Sequence, residues 1–82
     1  MSMLSTILEW FDEEEFLIAD GFDEAIIGID ESSYRIIYSC KKCIEILMDE
    51  GMLHEDAIEH FEYNVRGSYV GEKTPIWCVD HI

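Results

Sequence analysis

The stretch from Ser39 to Gly67 constrains the fold more than any other part of this chain. Its apolar residues recur with the i, i+3, i+4, i+7 spacing of amphipathic helices. A glycine interrupts this pattern at position 51, where it can adopt the left-handed conformation that ends a helix. The stretch therefore predicts two short helices joined by a tight break, and a connection this short makes the two helices neighbours.

Each predicted helix has an apolar stripe and signals at its ends. Ser39 is placed to cap the first helix through its hydroxyl. Glu55 and Asp56 fall in the first turn of the second helix, where negative charge suits the helix dipole, and Arg66 and Gly67 are stop signals at its end. The stripes consist of Cys40, Cys43, Ile44, Leu47 and Met48 in the first helix and of Ala57, Ile58, Phe61 and Val65 in the second. Both stripes need a further apolar layer to cover them.

The residues before this helical pair predict a β-hairpin. Residues 25–29 and 34–38 are short, apolar and rich in β-branched side chains, which is typical of strands. Turn-forming residues 30–33 lie between them, so we expect the two strands to pair antiparallel. Gly28, inside the first strand, suggests a bulge or the close approach of another backbone.

The two ends of the chain complete the predicted fold. Helical spacing predicts an N-terminal helix over residues 3–11, with residues 16–18 forming a second helical turn or extending the first helix. Pro75 precedes a last strand over residues 76–79. We therefore expect one α+β domain over residues 1–82, in the order α-β-β-α-α-β, with a small antiparallel sheet of hairpin plus C-terminal strand and helices packed on one face. The last strand would pair with the hairpin or with another subunit, and the exposed sheet edges would allow a homodimer.

Charge is the outlying feature of the composition. The chain of 82 residues holds 19 Asp and Glu against 5 Lys and Arg, which gives a formal net charge of -14 at pH 7. Residues 1–34 contain ten of the carboxylates and no Lys or Arg. A field of this sign repels nucleic acid and anionic membranes and attracts basic protein surfaces. The alternative explanation is that the charge serves only to keep a small protein soluble.

The composition also indicates where the protein works. No stretch approaches the roughly 20 apolar residues of a membrane-spanning helix, and Glu9 interrupts the apolar run at the N-terminus. Three cysteines are an odd number, which argues against a closed disulfide framework. We expect a reduced, cytoplasmic protein that uses no cofactor.

The cysteines offer an alternative, a metal or thiol site. Cys40 and Cys43 form one pair, and Cys78 and His81 form another, so the four side chains could supply a tetrahedral zinc ion. The first pair belongs to the apolar stripe of a helix, however, which favours a role as small buried side chains. The second pair is three residues apart on an expected strand, so its members would point to opposite faces.

Two stretches carry a resemblance to a known group of proteins. They are GFDEAIIGID, from Gly21 to Asp30, and IEHFEYNVRGSYVGEKTPIW, from Ile58 to Trp77. With the apolar core of Cys43 to Met48 between them, they resemble small acidic proteins encoded by bacteriophages and prophages. The resemblance covers roughly residues 16–78, lies in apolar and glycine positions, and implies neither an activity nor site residues. It implies a setting, an accessory protein made inside an infected bacterium, where small acidic phage proteins often inhibit host machinery.

These features together predict a non-enzymatic inhibitor in the cytoplasm of a bacterial host. Its partner would be a basic host or defence protein whose nucleic-acid-binding surface it covers, as an anti-CRISPR-like inhibitor would, without binding nucleic acid or membrane itself. Charge would speed the encounter, whereas affinity would require aromatic side chains that the partner buries. The predicted partner-binding residues are Trp10, Asp12, Glu13, Glu14, Glu15, Asp20, Phe22, Asp23, Glu24, Asp30 and Glu31.

Overall fold

The helices and strands follow one another in the predicted order. A computed structural model describes residues 3–10, 16–19, 21–67 and 71–80 of the chain. Its elements are helix α1 (Met3–Trp10), a 3₁₀ turn (Asp23–Ala25), strands β1 (Ile26–Asp30) and β2 (Arg35–Ser39), helices α2 (Cys40–Asp49) and α3 (His54–His60), a π-helical segment (Phe61–Arg66) and strand β3 (Ile76–Cys78). The α+β class is confirmed. The helical turn predicted over residues 16–18 is wrong, because these residues have no regular structure.

The hairpin forms as predicted, with each strand beginning one residue later. β1 and β2 pair antiparallel, with Ile29 opposite Ile36, and the register shifts between Ile26 and Gly28. This shift is the bulge that Gly28 suggested, and it leaves one residue of β1 without an opposite partner. On β2, Ile36 and Tyr38 are fully buried, whereas Arg35 between the turn and Ile36 stays partly exposed. The period of two in the sequence thus becomes the two faces of the strand.

The direction of the third strand corrects the prediction of an antiparallel sheet. β3 pairs with β2 in parallel, with Ile76 opposite Ile37, so the sheet is mixed and its order is β1-β2-β3. The chain returns through α2, α3 and the following loop to the end where β2 begins. There Arg35 Nε donates to the carbonyl of Thr74, and Lys73 Nζ donates to the carbonyl of Ser33. These two contacts lie beside the start of β2, and β3 continues from there in the same direction as β2.

The helical pair has the predicted ends but an irregular second half. The Ser39 hydroxyl accepts from the backbone N–H of Lys42 at 3.0 Å and caps α2. Gly51 follows α2 with a φ of 108°, which is the predicted left-handed stop. The second helix is α-helical only to His60 and then continues as the π-helical segment. Gly67, one of the predicted stop signals, follows this segment with a φ of -74°, and a Cβ there would lie 3.0 Å from the Glu62 carbonyl oxygen.

One buried cluster joins the sheet to all three α-helices. Its centre is aromatic: the Tyr38 ring lies 5.1 Å from that of Trp77, and Phe61 meets Trp77 edge-to-face at 5.5 Å. The buried residues are Ile7, Phe22, Ala25, Ile26, Ile36, Tyr38, Cys40, Cys43, Leu47, Ala57 and Phe61. Both predicted stripes contribute to this cluster, but one predicted member of each, Met48 and Ile58, is exposed. Within the described ranges, no helix combines the length and the apolar character that crossing a membrane requires.

Candidate binding surfaces

The two aromatic residues predicted to contact a partner lie in opposite environments. Trp10, the last residue of α1, is 76% exposed. Phe22 is 8% exposed and belongs to the core. We therefore leave Phe22 out of any binding surface, because a partner could reach it only by opening the core. The acidic residues Asp12, Glu13, Glu14, Glu15 and Asp20 lie outside the described residues.

The four remaining predicted acids separate into two pairs at opposite ends of β1. Asp23 and Glu24 are exposed in the 3₁₀ turn before the strand, whereas Asp30 and Glu31 lie at its far end. A strand rises about 3.4 Å per residue, so on the order of 15–20 Å separates the two pairs. The two pairs therefore belong to different parts of the surface.

The far pair belongs to the structure of the hairpin turn. The Asp30 carboxylate accepts from the Ser32 backbone N–H at 3.1 Å and from the hydroxyls of Ser32 and Ser33 at 2.8 Å each. These hydrogen bonds, that from Ser33 first, lower the pKa of Asp30. Arg35 is opposite Asp30 in the register of the two strands. The Lys73 Nζ atom lies 5.2 Å from the centroid of the Tyr34 ring. Two of the five basic residues therefore offset the negative charge at this end of the molecule.

The near pair belongs to a larger acidic surface that the sequence analysis missed. Two shallow depressions meet at Glu24 and Ile46: Asp23 lines one of them, and Glu45 and Asp49 of α2 line the other. We call Asp23, Glu24, Glu45 and Asp49 the turn–α2 acidic face. All four side chains are exposed. The signal in the sequence was the spacing of Glu45 and Asp49, four apart and off the apolar stripe, which places them on one side of the helix.

Among the residues that the structure describes, the carboxylates of this face have no ion-pair partner. In the part of the chain that the structure describes, the one ion pair joins Arg66 Nη1 to Glu62 Oε1 at 3.1 Å, within the π-helical segment. Lys42 lies in the same depression as Glu45 and Asp49 but forms no ion pair there. The face thus keeps most of its negative charge directed at solvent.

Two of the three cysteines of the alternative site are buried in the core. No group of three or more His, Cys, Asp or Glu side chains that could hold a metal ion occurs among the described residues, and His81 lies outside them. Cys40 and Cys43 are 3% and 0% exposed. Burial raises the pKa of Cys40 and raises that of Cys43 to about 12, so both thiols stay protonated near neutral pH. Protonated, buried thiols are poor nucleophiles and poor metal ligands.

The C-terminal segment binds the start of α2 through a short network. Fully buried Ser39 donates its hydroxyl proton to Asp80 Oδ2 at 2.5 Å, and the Lys41 backbone N–H donates to Asp80 Oδ1 at 3.2 Å. The hydrogen bond from Ser39 lowers the pKa of Asp80. A carboxylate at a helix N-terminus is favourable, because it satisfies free N–H groups and opposes the positive end of the helix dipole. The network is complete within the protein, and its role is structural.

Comparison with known proteins adds no further information on these surfaces. No protein-family model, no curated protein and no solved structure matches the chain.

Proposed function

We propose that this protein is a non-enzymatic accessory protein that inhibits a host protein by covering a basic, nucleic-acid-binding surface. The observation that supports the proposal best is the turn–α2 acidic face. There, four exposed carboxylates from two elements lie around Ile46 and form no ion pair with any other described residue. The resemblance to phage proteins supports the setting, a bacterial cytoplasm during infection. An anti-defence role is one form that such inhibition would take.

An exposed aromatic residue lies on an element next to this face. Helix α1 packs against the 3₁₀ turn that carries Asp23 and Glu24, and it ends at Trp10, which is 76% exposed. Trp is among the residues that contribute most to binding when a partner buries them. We infer that the acidic face speeds association by long-range attraction and that Trp10 supplies contact area once the partner has docked.

A pair of matched double variants tests this surface. Glu24→Gln with Glu45→Gln removes two charges from the turn–α2 acidic face. Glu31→Gln with Glu72→Gln removes two exposed charges elsewhere, one from the hairpin turn and one from the loop before β3. The chain is immobilised, used to capture proteins from bacterial lysate at low salt, and eluted with salt. Each captured protein is then assayed for nucleic-acid binding with and without added chain.

The proposal predicts different behaviour for the two double variants. The chain should displace nucleic acid from a captured partner, and the first double variant should need about tenfold more protein to do so, because each charge near an interface changes association severalfold at low salt. The second double variant should behave like the unmodified chain. Equal loss in both variants would show that only net charge matters, and capture without displacement of nucleic acid would refute inhibition.

A further inference from the structure

A second surface, on the outer side of α3 and the π-helical segment, combines an exposed aromatic ring with carboxylates. One shallow groove there is lined by Asp56, Glu59, His60, Tyr63 and Asn64. Tyr63 is 78% exposed, about as much as Trp10. We call these five residues the Tyr63 groove. It lies on different elements from the turn–α2 acidic face, and its function does not depend on that face.

Packing on the opposite side of the helix explains why these side chains converge. Ala57 and Phe61 are fully buried, and Phe61 meets Trp77 edge-to-face, which fixes the rotation of the helix. With those positions inside, residues 56, 59, 60 and 63 lie on the outer side. At the end of the segment, Gly67 lies so close to the Glu62 carbonyl that a Cβ would be 3.0 Å from it. π-Helical turns of this kind are frequent at functional sites.

The described residues do not neutralise the two carboxylates of the groove. Arg66, the nearest base in the sequence, is paired with Glu62, and within the described ranges neither Asp56 nor Glu59 has an ion-pair partner. His60 Nδ1 and Asn64 Nδ2 lie 3.4 Å apart along one edge. A tyrosine ring beside two free carboxylates complements a guanidinium group, which stacks on aromatic faces and donates to carboxylates in a fork.

We propose that the Tyr63 groove docks an arginine-bearing segment of a protein partner. The charge argues for this occupant and against the others. Nucleic acid and anionic membranes would be repelled by Asp56 and Glu59. A second copy of the chain, with its net charge of -14, would bring further negative charge to this groove. The guanidinium would lie over the Tyr63 ring and donate to the two carboxylates.

A labelled oligo-arginine peptide is the probe for this groove, with an oligo-lysine peptide of equal length beside it. Binding to the full chain is measured by fluorescence anisotropy at low salt, and contact by the shifts of the Tyr63 ring signals in NMR spectra. We expect the ring signals to shift with oligo-arginine and the chain to prefer oligo-arginine over oligo-lysine. Tyr63→Ala should weaken oligo-arginine binding about two- to fivefold, as expected for losing one exposed cation–π contact, and Tyr63→Phe should restore it.

Charge variants separate local docking from general attraction. Asp56→Asn with Glu59→Gln should weaken oligo-arginine binding more than Glu31→Gln with Glu72→Gln, although both remove two charges. Equal weakening, or Tyr63 ring signals that do not move, would overturn the proposal. The double variant Glu24→Gln with Glu45→Gln separates the two surfaces. It should weaken displacement of nucleic acid from a captured partner but leave the NMR shifts of the Tyr63 ring unchanged.

Discussion

At the scale of single residues, Gly51 and Gly28 differ in backbone conformation but not in the space around them. A Cβ added at either position would meet no heavy atom within 4 Å, but only Gly51 has a positive φ, 108°. We expect Gly51→Ala to lower the free energy of unfolding by about 1–2 kcal/mol, because a side chain is strained in the left-handed region. Gly28→Ala should change it by less than about 0.5 kcal/mol. Urea unfolding of both variants checks this, and similar values for the two would contradict the assignment of the Gly51 turn.

At the scale of elements, the network of Ser39 and Asp80 connects the C-terminal segment to α2. Ser39→Ala should lower the free energy of unfolding by about 0.5–2 kcal/mol through loss of the cap. Asp80→Asn should lower it by about 0.5–1 kcal/mol, because the charge at the helix N-terminus is lost. Asp49→Asn, which removes the same charge from the other end of α2, is the control and should be neutral or slightly stabilising. An equal loss in the two Asp variants would contradict the network.

The same element predicts a dependence on pH. The pKa of Asp80 is lower in the folded protein than its ordinary value of 3.8. A carboxylate with a lowered pKa supplies stability above its unfolded-state pKa and loses it as pH falls through the folded-state pKa. The difference in stability between the unmodified chain and Asp80→Asn should therefore be constant above about pH 5 and should shrink below about pH 4. If the difference in stability persists unchanged at lower pH, then Asp80 does not stabilise the protein through its charge.

At the scale of the whole molecule, the net charge of -14 lowers the stability of the folded state, and salt should weaken this effect. Nineteen carboxylates repel one another, and the described residues contain one ion pair. The screening length shortens from about 30 Å at 0.01 M salt to about 8 Å at 0.15 M, so the repulsion weakens. We expect the melting temperature to rise over this range of sodium chloride, and to rise less in the double variant Glu31→Gln with Glu72→Gln. A melting temperature that falls with salt would mean that attractive pairs dominate.

Much of the local structure follows from neighbouring residues alone. The hydroxyl of Ser39, the glycine at position 51 and the alternating residues of β2 act within one turn or one strand, so the sequence predicts α2, its ends and the hairpin to within a residue. Burial of Cys40 and Cys43 follows equally from their positions on the stripe. The excess of negative charge, and with it the class of partner we propose, is also a property of composition.

The remaining features depend on where distant segments meet. β3 is parallel to β2 because the chain returns to the start of β2 before β3 begins. There Arg35 and Lys73 form contacts between residues about 40 positions apart, which no local pattern encodes. Phe22 is buried in the core because the elements around it pack together. For the same reason, Glu24 of the 3₁₀ turn and Glu45 of α2 line one depression. The sequence alone thus determined the periodic elements and the sign of the charge, since both arise from neighbouring side chains and their sum. Which carboxylates share a surface is a property of the folded chain, because it depends on contacts between residues far apart in the sequence.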